Sequence, residues 1–359
     1  DIGFHVFVGG GLGRTPVIAS SIREFLPKQH LLSYLDAILR VYNRYGNRDN
    51  KYKARIKILV KAWTPEVFAE RVEAEWAHLK DGPATLDGTE IERMKSFFTA
   101  PQYLSFDAGE TAADLQSLAK DNRAFSRWLD RNVRSQKQPG YSSVTLSLKP
   151  AGVAPGDVTD VQLETIADLA DRFSFGEIRS THNQNLVLAD VAQPELFDLW
   201  QLAKSAGLAT PSIGTINDMI CCPGGDYCSL ANAKSIPVAE AIQRKFDDLD
   251  YVYDLGDLEL NISGCMNACG HHHIGHIGIL GVDKKGEEWY QIQLGGSANS
   301  NAALGKVLGP SLSRQAVTDG IEKLLDVYVE NRLEQESFLS TYQRIGIEKF
   351  KQRVYGTAS

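Results

Sequence analysis

The sequence predicts an α+β protein in which a ferredoxin-like half-domain is embedded in mixed α/β segments, and three observations carry that expectation. From residue 141 the pattern runs strand, helix, strand, strand, helix: "SSVTLSLKP", then Gln162 to Phe173, then the two strands of "GEIRSTHNQNLVLADV", then Pro194 to Ala206. This is the βαββα order of half a ferredoxin-like unit. Beyond Ile213, strands at Leu258–Ile262, Gly275–Val282 and Trp289–Leu294 follow a helix at Val238–Asp248, and helices covering Ala316–Tyr328 and on to Tyr342 close the chain. Before residue 82 the chain is mostly helical after one glycine-terminated strand.

The elements can be justified in order. Phe4 to Val8 alternate apolar and β-prone residues until Gly9, Gly10, Gly11 and Gly13 break the strand, with Arg14 following in "GGGLGRTP". Such a loop can cradle an anion, but it lacks the G-x-G-x-x-G spacing of a dinucleotide site. Leu31 to Tyr45 has helical periodicity, with Leu32, Leu35, Ile38, Leu39 and Tyr42 on one predicted apolar stripe. In "NRDNKYKARIKILV", Lys51, Lys53, Arg55 and Lys57 alternate with Tyr52, Ala54, Ile56 and Ile58. A strand would put those cations on one face, either solvated or lining an anion site. Thr64 to Leu79 is a helix with Pro65 in its first turn. Gly82 to Gly140 is charged and poor in apolar periodicity except at Phe125–Val133, and is expected to be a peripheral helical connector. The predicted domains are therefore 1–81, 82–140, 141–210 and 211–359.

Composition bounds the function. A net charge of −7 and 43% hydrophobic residues describe a globular chain with no general affinity for nucleic acid, and no apolar run reaches the ~20 residues of a membrane span. Five cysteines in 359 residues, an odd number, with no signal peptide, fit a reducing cytoplasm better than secretion. Asp1 is not an initiator methionine, so the chain is expected to be the later part of a longer polypeptide.

Four of those cysteines form two groups, Cys222-x5-Cys228 in "CCPGGDYC" and Cys265-x3-Cys269 in "NISGCMNACG". Four thiolates are the ligand count of a [4Fe–4S] cluster, and Gly224, Gly225, Gly264 and Gly270 allow backbone N–H groups to approach its sulfides. Zinc would also take four cysteines, although its knuckles usually have gaps of about two to four residues; structural thiols are the third reading. Cys221 is left over, giving a six-residue gap in place of five. Arg179, Thr181, His182, Asn183, Gln184 and Asn185 make the inner hairpin unusually polar, which suits either a bound polar cofactor or an exposed turn. His271, His272, His273 and His276 could flank a cofactor carboxylate, hold a separate metal or pack structurally.

Taken with "AILRVYNRYGNRDNKYKARIKILV", "RSTHNQNLVLADV" and "NISGCMNACGHHHIGHIGILGVD", these motifs resemble the siroheme-dependent nitrite and sulfite reductases over nearly the whole chain. The likeness is greatest to the hemoprotein subunit of assimilatory sulfite reductase. The resemblance implies the nitrite/sulfite reductase fold, with siroheme- and [4Fe–4S]-binding α/β domains around the half-domain. It implies Cys222, Cys228, Cys265 and Cys269 as cluster ligands and Cys269 as the thiolate shared with the siroheme iron. It places two substrate-binding cations one residue apart on a strand, assigned to Arg55 and Lys57 with Lys53 as the register alternative. Arg14, Arg179, Asn183, Asn185, Asn267, His272 and His273 are expected near siroheme. The implied activity is six-electron reduction of sulfite to hydrogen sulfide in sulfate assimilation and cysteine biosynthesis, with electrons from a flavoprotein subunit or a ferredoxin. The alternatives are reduction of nitrite to ammonium and, from another class, a non-catalytic iron–sulfur electron carrier. Members of the family carry an earlier duplicated half that this chain lacks, so the segment alone is expected to bind siroheme poorly and turn over little.

Overall fold

The computed structural model describes residues 1–356 and divides into two compact units, residues 1–102 and 103 onward. In the first, strands β1 (Gly3–Val8) and β2 (Ser20–Pro27) pair antiparallel across the glycine loop, which is itself closed by a bridge between Gly11 and Val17. Helices α1 (Leu31–Tyr45), α2 (Ile56–Trp63), α3 (Pro65–Trp76) and α4 (Gly88–Lys95) follow. Leu26, Tyr34, Val41, Phe68, Val72 and Trp76 form this unit's core. Arg23 ties β2 to α3 through a two-pronged bond to Glu73 at 2.7 and 2.8 Å while lying over the Trp76 ring.

Two expectations fail here. The bounds of α1 are as predicted, but its buried face is Ser33, Tyr34, Ala37, Ile38 and Val41. Leu32, Leu35 and Leu39 are 43–52% exposed. Both stripes have i, i+3, i+4 spacing, and the one carrying Tyr34 wins because its ring packs edge-on against Trp76. The strand expected through Lys53, Arg55 and Lys57 is instead a turn leading into α2. Asn47 and Asn50 side chains accept backbone N–H groups at Asn50 and Tyr52, closing the turn. Ile56, Leu59, Val60 and Trp63 recur at i, i+3, i+4 and i+7, so the helical period outcompetes the cation alternation.

The second unit begins with α5 (Ala108–Asp121) and α6 (Arg123–Asn132), followed by β3 (Val133–Ser135), β4 (Tyr141–Leu146), α7 (Asp160–Phe173), β5 (Arg179–Ser180), β6 (Leu186–Ala192) and α8 (Leu196–Ser205). The strands form an antiparallel sheet in the order β3-β4-β6-β5, the predicted half-domain with one extra edge strand. The segment expected to be peripheral contributes to it: Phe125 and Trp128 of α6 are fully buried with Val144, Leu146, Leu188 and Trp200. Few but large apolar side chains suffice to seat that helix.

Strand β7 (Ile220–Cys221) opens the last region, followed by α9 (Ile236–Lys245), α10 (Leu249–Leu255), β8 (Leu260–Ser263), β9 (Ile277–Lys284), β10 (Glu287–Leu294), β11 (Lys306–Val307), α11 (Arg314–Asn331), α12 (Phe338–Ile345) and α13 (Ile347–Tyr355). Its sheet has the order β11-β10-β9-β8-β7, parallel from β7 to β9 and antiparallel from β9 to β11. Ile262, Ile279 and Ile292 pack against Val238 of α9 and Ile321 and Leu324 of α11. Among the described residues no helix is long and apolar enough to cross a membrane.

The revised face of α1 has a direct check. Ile38→Ala should cost about 2–5 kcal/mol in urea unfolding, as for other buried aliphatic truncations, whereas Leu35→Ala should stay within about 0.5 kcal/mol of the parent. A larger loss for Leu35 would restore the predicted stripe.

Candidate metal centre

Neighbouring parallel strands run in the same direction, so the segments that follow them leave the sheet together. Cys221 pairs with Ile262 across β7 and β8, and Cys222 N–H continues the ladder to the Ile262 carbonyl at 3.0 Å. The two cysteine loops therefore emerge side by side. Their turns are closed internally by Cys228 N–H to the Gly224 carbonyl and by Ala268 N–H to the Cys265 carbonyl. They are joined to each other where Asn232 and Ala233 N–H both reach the Gly264 carbonyl.

Glycine is required where the loops meet. A Cβ on Gly264 would lie 2.6 Å from the Ala233 carbonyl oxygen and 2.8 Å from Gly224 Cα; one on Gly224, whose φ is +59°, would lie 2.4 Å from Ser235 N. This close approach lets Gly264 N–H donate to Cys222 Sγ at 3.0 Å. Ser235 Oγ is 3.5 Å from the same sulfur.

All five cysteines are free. Cys265 is buried, Cys222 and Cys228 are half-buried and Cys269 is exposed. The Cys269 thiol is pushed up first by desolvation and then by the charges of Cys222, Cys265 and Cys228. A thiolate at Cys269 is repelled by the other three unless a cationic centre lies among them. Among the described residues no three His, Cys, Asp or Glu side chains gather closely enough for a single metal ion. A zinc ion would draw its sulfurs to about 2.3 Å from one point, whereas an iron–sulfur cubane distributes them over four irons. The donor set, the glycine cradle and the N–H aimed at sulfur fit a cluster. Cys221 differs: its side chain is buried, burial pushes its thiol far up, and Sγ points to the Cys222 carbonyl at 3.3 Å.

The remaining predicted residues divide. Asn267 is exposed on the second cysteine loop. His272 is fully buried, its ring centroid lies 3.9 Å from that of His273 at a 42° tilt, and neither of its ring nitrogens has a hydrogen-bond partner; burial lowers its pKa to about 3, so it is neutral. Such a buried donor–acceptor pair three residues from Cys269 fits the polar edge of a cofactor. His273 Nδ1 meets Gln293 Oε1 at 3.1 Å. Arg179 is exposed and paired with Glu177. Asn185 is spent on the protein: Oδ1 accepts Leu148 N–H at 3.2 Å and Nδ2 donates to Asp218 at 2.9 Å. The Asn183 carbonyl accepts from Lys149. Arg14, Lys53, Arg55 and Lys57 lie in the first unit. Arg14, Lys53 and Arg55 are exposed there, and Lys57 Nζ donates to the Leu12 and Thr15 carbonyls of the glycine loop, each at 2.8 Å.

Sequence reasoning missed Lys149 and Asp218. The Lys149 side chain is wholly buried and meets Asp218 Oδ1 at 2.7 Å. Burial lowers the lysine's affinity for its proton, while Asp218 opposes that shift. The one signal was a lysine directly after the alternating stretch "SVTLSL". Beside the pair lies a cavity of about 250 Å³ lined by His182, Asn183, Asp218, Glu259, Asn261 and His271 among others. In the whole protein, Cys269→Ser should abolish the iron–sulfur absorption and iron content, and Cys221→Ser should leave both intact; loss of the cluster on changing Cys221 would reverse the ligand register.

Comparison with known proteins identifies the family. A family model described as the nitrite and sulphite reductase 4Fe-4S domain matches residues 1–80 and 213–358, and one described as the nitrite/sulfite reductase ferredoxin-like half domain matches 134–206. Sulfite reductase (ferredoxin) 1 of Mycolicibacterium paratuberculosis is 25% identical over 97% of this chain and 57% of its own length. The assimilatory ferredoxin-dependent nitrite reductase of Haloferax mediterranei is 28% identical over 94% of this chain and 54% of its own. The solved structure of the Mycobacterium tuberculosis NirA protein superposes with a TM-score of 0.71 at 26% identity, covering 97% of this chain and 58% of that one. The chain thus spans somewhat over half the length of the relatives it matches. The α+β architecture and the matches over more than half the sequence imply a [4Fe–4S] cluster and siroheme as cofactors, and the chain belongs to the nitrite and sulphite reductase family.

Proposed function

We propose that this chain is the cluster-bearing part of an assimilatory enzyme that reduces sulfite to hydrogen sulfide. The observation that supports the reading is the parallel pairing of β7 and β8, which sends both cysteine-bearing loops off the same end of one sheet, within a segment matching the family's 4Fe-4S domain. When bound, the coupled siroheme and cluster supply electrons and an iron site for the anion. Cys222, Cys228, Cys265 and Cys269 would hold the cluster. Cys269, the one exposed thiol, would be shared with siroheme. His272, with two unpartnered ring nitrogens, together with His273, Asn267, Asn183, Arg14 and Arg179, would face the tetrapyrrole's polar periphery. Residues 1–81 and 211–359 would then be the α/β cofactor domains, with 141–210 as the half-domain, onto which α6 and β3 of the 82–140 segment pack.

Charge and protons are the chain's own contribution. An oxyanion that loses oxygen as water needs cations against its charge and acids within reach. Lys57 is suited to both: two of its three N–H donors are held by the Leu12 and Thr15 carbonyls, which aim the ammonium and leave one proton free. Arg55 serves charge alone, since guanidinium hardly deprotonates. Its side chain donates to the Ala54 carbonyl at 2.7 Å. Lys53, exposed in the preceding turn, is a third cation of the same short segment. A ferredoxin or a flavoprotein would deliver electrons, as relatives named ferredoxin- and NADPH-dependent suggest, and the free thiols suit a cytoplasmic setting.

Nitrite reduction to ammonium is the second reading, favoured by relatives named as nitrite reductases. Measured on the full-length protein, kcat/KM for sulfite should exceed that for nitrite; a strong preference for nitrite would overturn the choice. Lys57→Met should lower sulfite turnover by about 100-fold with the siroheme and cluster absorption unchanged. Undiminished turnover would remove Lys57 from the site.

A further inference from the structure

The polar turn between β5 and β6 is engaged with the cluster loop's entry strand. In a strand, the N–H and C=O of one residue point to the same side and those of the next to the other. Cys222 N–H faces inward to Ile262, so both backbone groups of Cys221 face the open edge of β7, the last strand of its sheet. There Gln184 meets them: Oε1 accepts Cys221 N–H at 2.8 Å and Nε2 donates to the Cys221 carbonyl at 2.8 Å. One carboxamide thus replaces a missing neighbour strand. Because Cys221 is 3% exposed, those groups would otherwise be buried without partners.

The turn is built to hold that contact. Gln184 has φ +58°, in the left-handed region uncommon for a side chain of its size. Thr181 fixes it, accepting Gln184 N–H at its carbonyl and Asn185 N–H at its hydroxyl. The residues on either side reach the same strand entry: Asn183 through Lys149, which also binds Asp218, and Asn185 directly to Asp218. Three consecutive residues of the half-domain therefore grip residues 218–221, immediately before a cluster ligand.

We propose that Gln184 is a positioning residue for Cys222: by clamping the backbone of Cys221 it fixes the direction in which the Cys222 thiolate leaves the sheet, and so couples the half-domain to the cluster. This rests on the cluster reading above. The test uses the full-length holoprotein under anaerobic conditions, measuring iron release to a chelator and the cluster's reduction potential. Gln184→Met, of similar length but unable to donate or accept in this way, should release iron at least tenfold faster. It should also shift the cluster's reduction equilibrium about tenfold, close to 59 mV for one electron. Gln184→Glu keeps the acceptor for Cys221 N–H and should recover part of the iron retention; it carries the test if the Met variant fails to fold. Parental release rates and potential in a variant that retains its cluster would overturn the role of Gln184 alone. Absence of iron and sulfide from the unmodified protein would overturn the cluster reading and the clamp with it.

Discussion

The parallel pairing of β7 with β8 is the constraint on which the rest depends. It is short, two residues against two, yet it sends both cysteine loops off the same end of one sheet. An antiparallel pairing would send them to opposite ends. The short strands are themselves held by what surrounds them: β9 extends the parallel ladder on one side, and Ile262 and Ile279 sit in a core shared with α9 and α11. The centre can be exposed at Cys269 and still rigid at Cys265 because the scaffold beneath the loops is closely packed.

A second layer of constraint is polar. Lys149 and Asp218 form a buried pair whose desolvation cost is offset only because Asn183, Asn185 and Gly214 supply further hydrogen bonds. Pairs of this kind add little net stability over apolar packing, but losing one partner costs about 3–5 kcal/mol. Their value here is specificity: they fix one register of the half-domain turn against the strand entering the cluster loop. The same turn, which in sequence suited either a bound polar cofactor or an exposed hairpin, directs Gln184 at backbone and Asn185 at Asp218.

How much of this was legible in the sequence varies with the range of the interaction. The cysteine spacing is local, and so was its chemistry. The βαββα order was legible because each element has a clear period. The face of α1 was not, since Leu32–Leu35–Leu39 and Tyr34–Ala37–Val41 fit the same helix equally well and only Trp76, on another helix, decides between them. The stretch Lys51–Val60 satisfied two periods at once, and Asn-based turn chemistry chose the helix. The Lys149–Asp218 pair spans 69 residues, beyond any local pattern. Substrate choice is less legible still, because relatives named for sulfite and for nitrite match the chain to a similar degree.

The most direct test of the central claim is analysis of metal and acid-labile sulfide in the purified full-length protein, paired with its visible spectrum. A [4Fe–4S] centre predicts about four sulfides per chain, iron in excess of that number, and the absorption bands of a tetrapyrrole. Stoichiometric zinc, or protein without iron and labile sulfide, would contradict it.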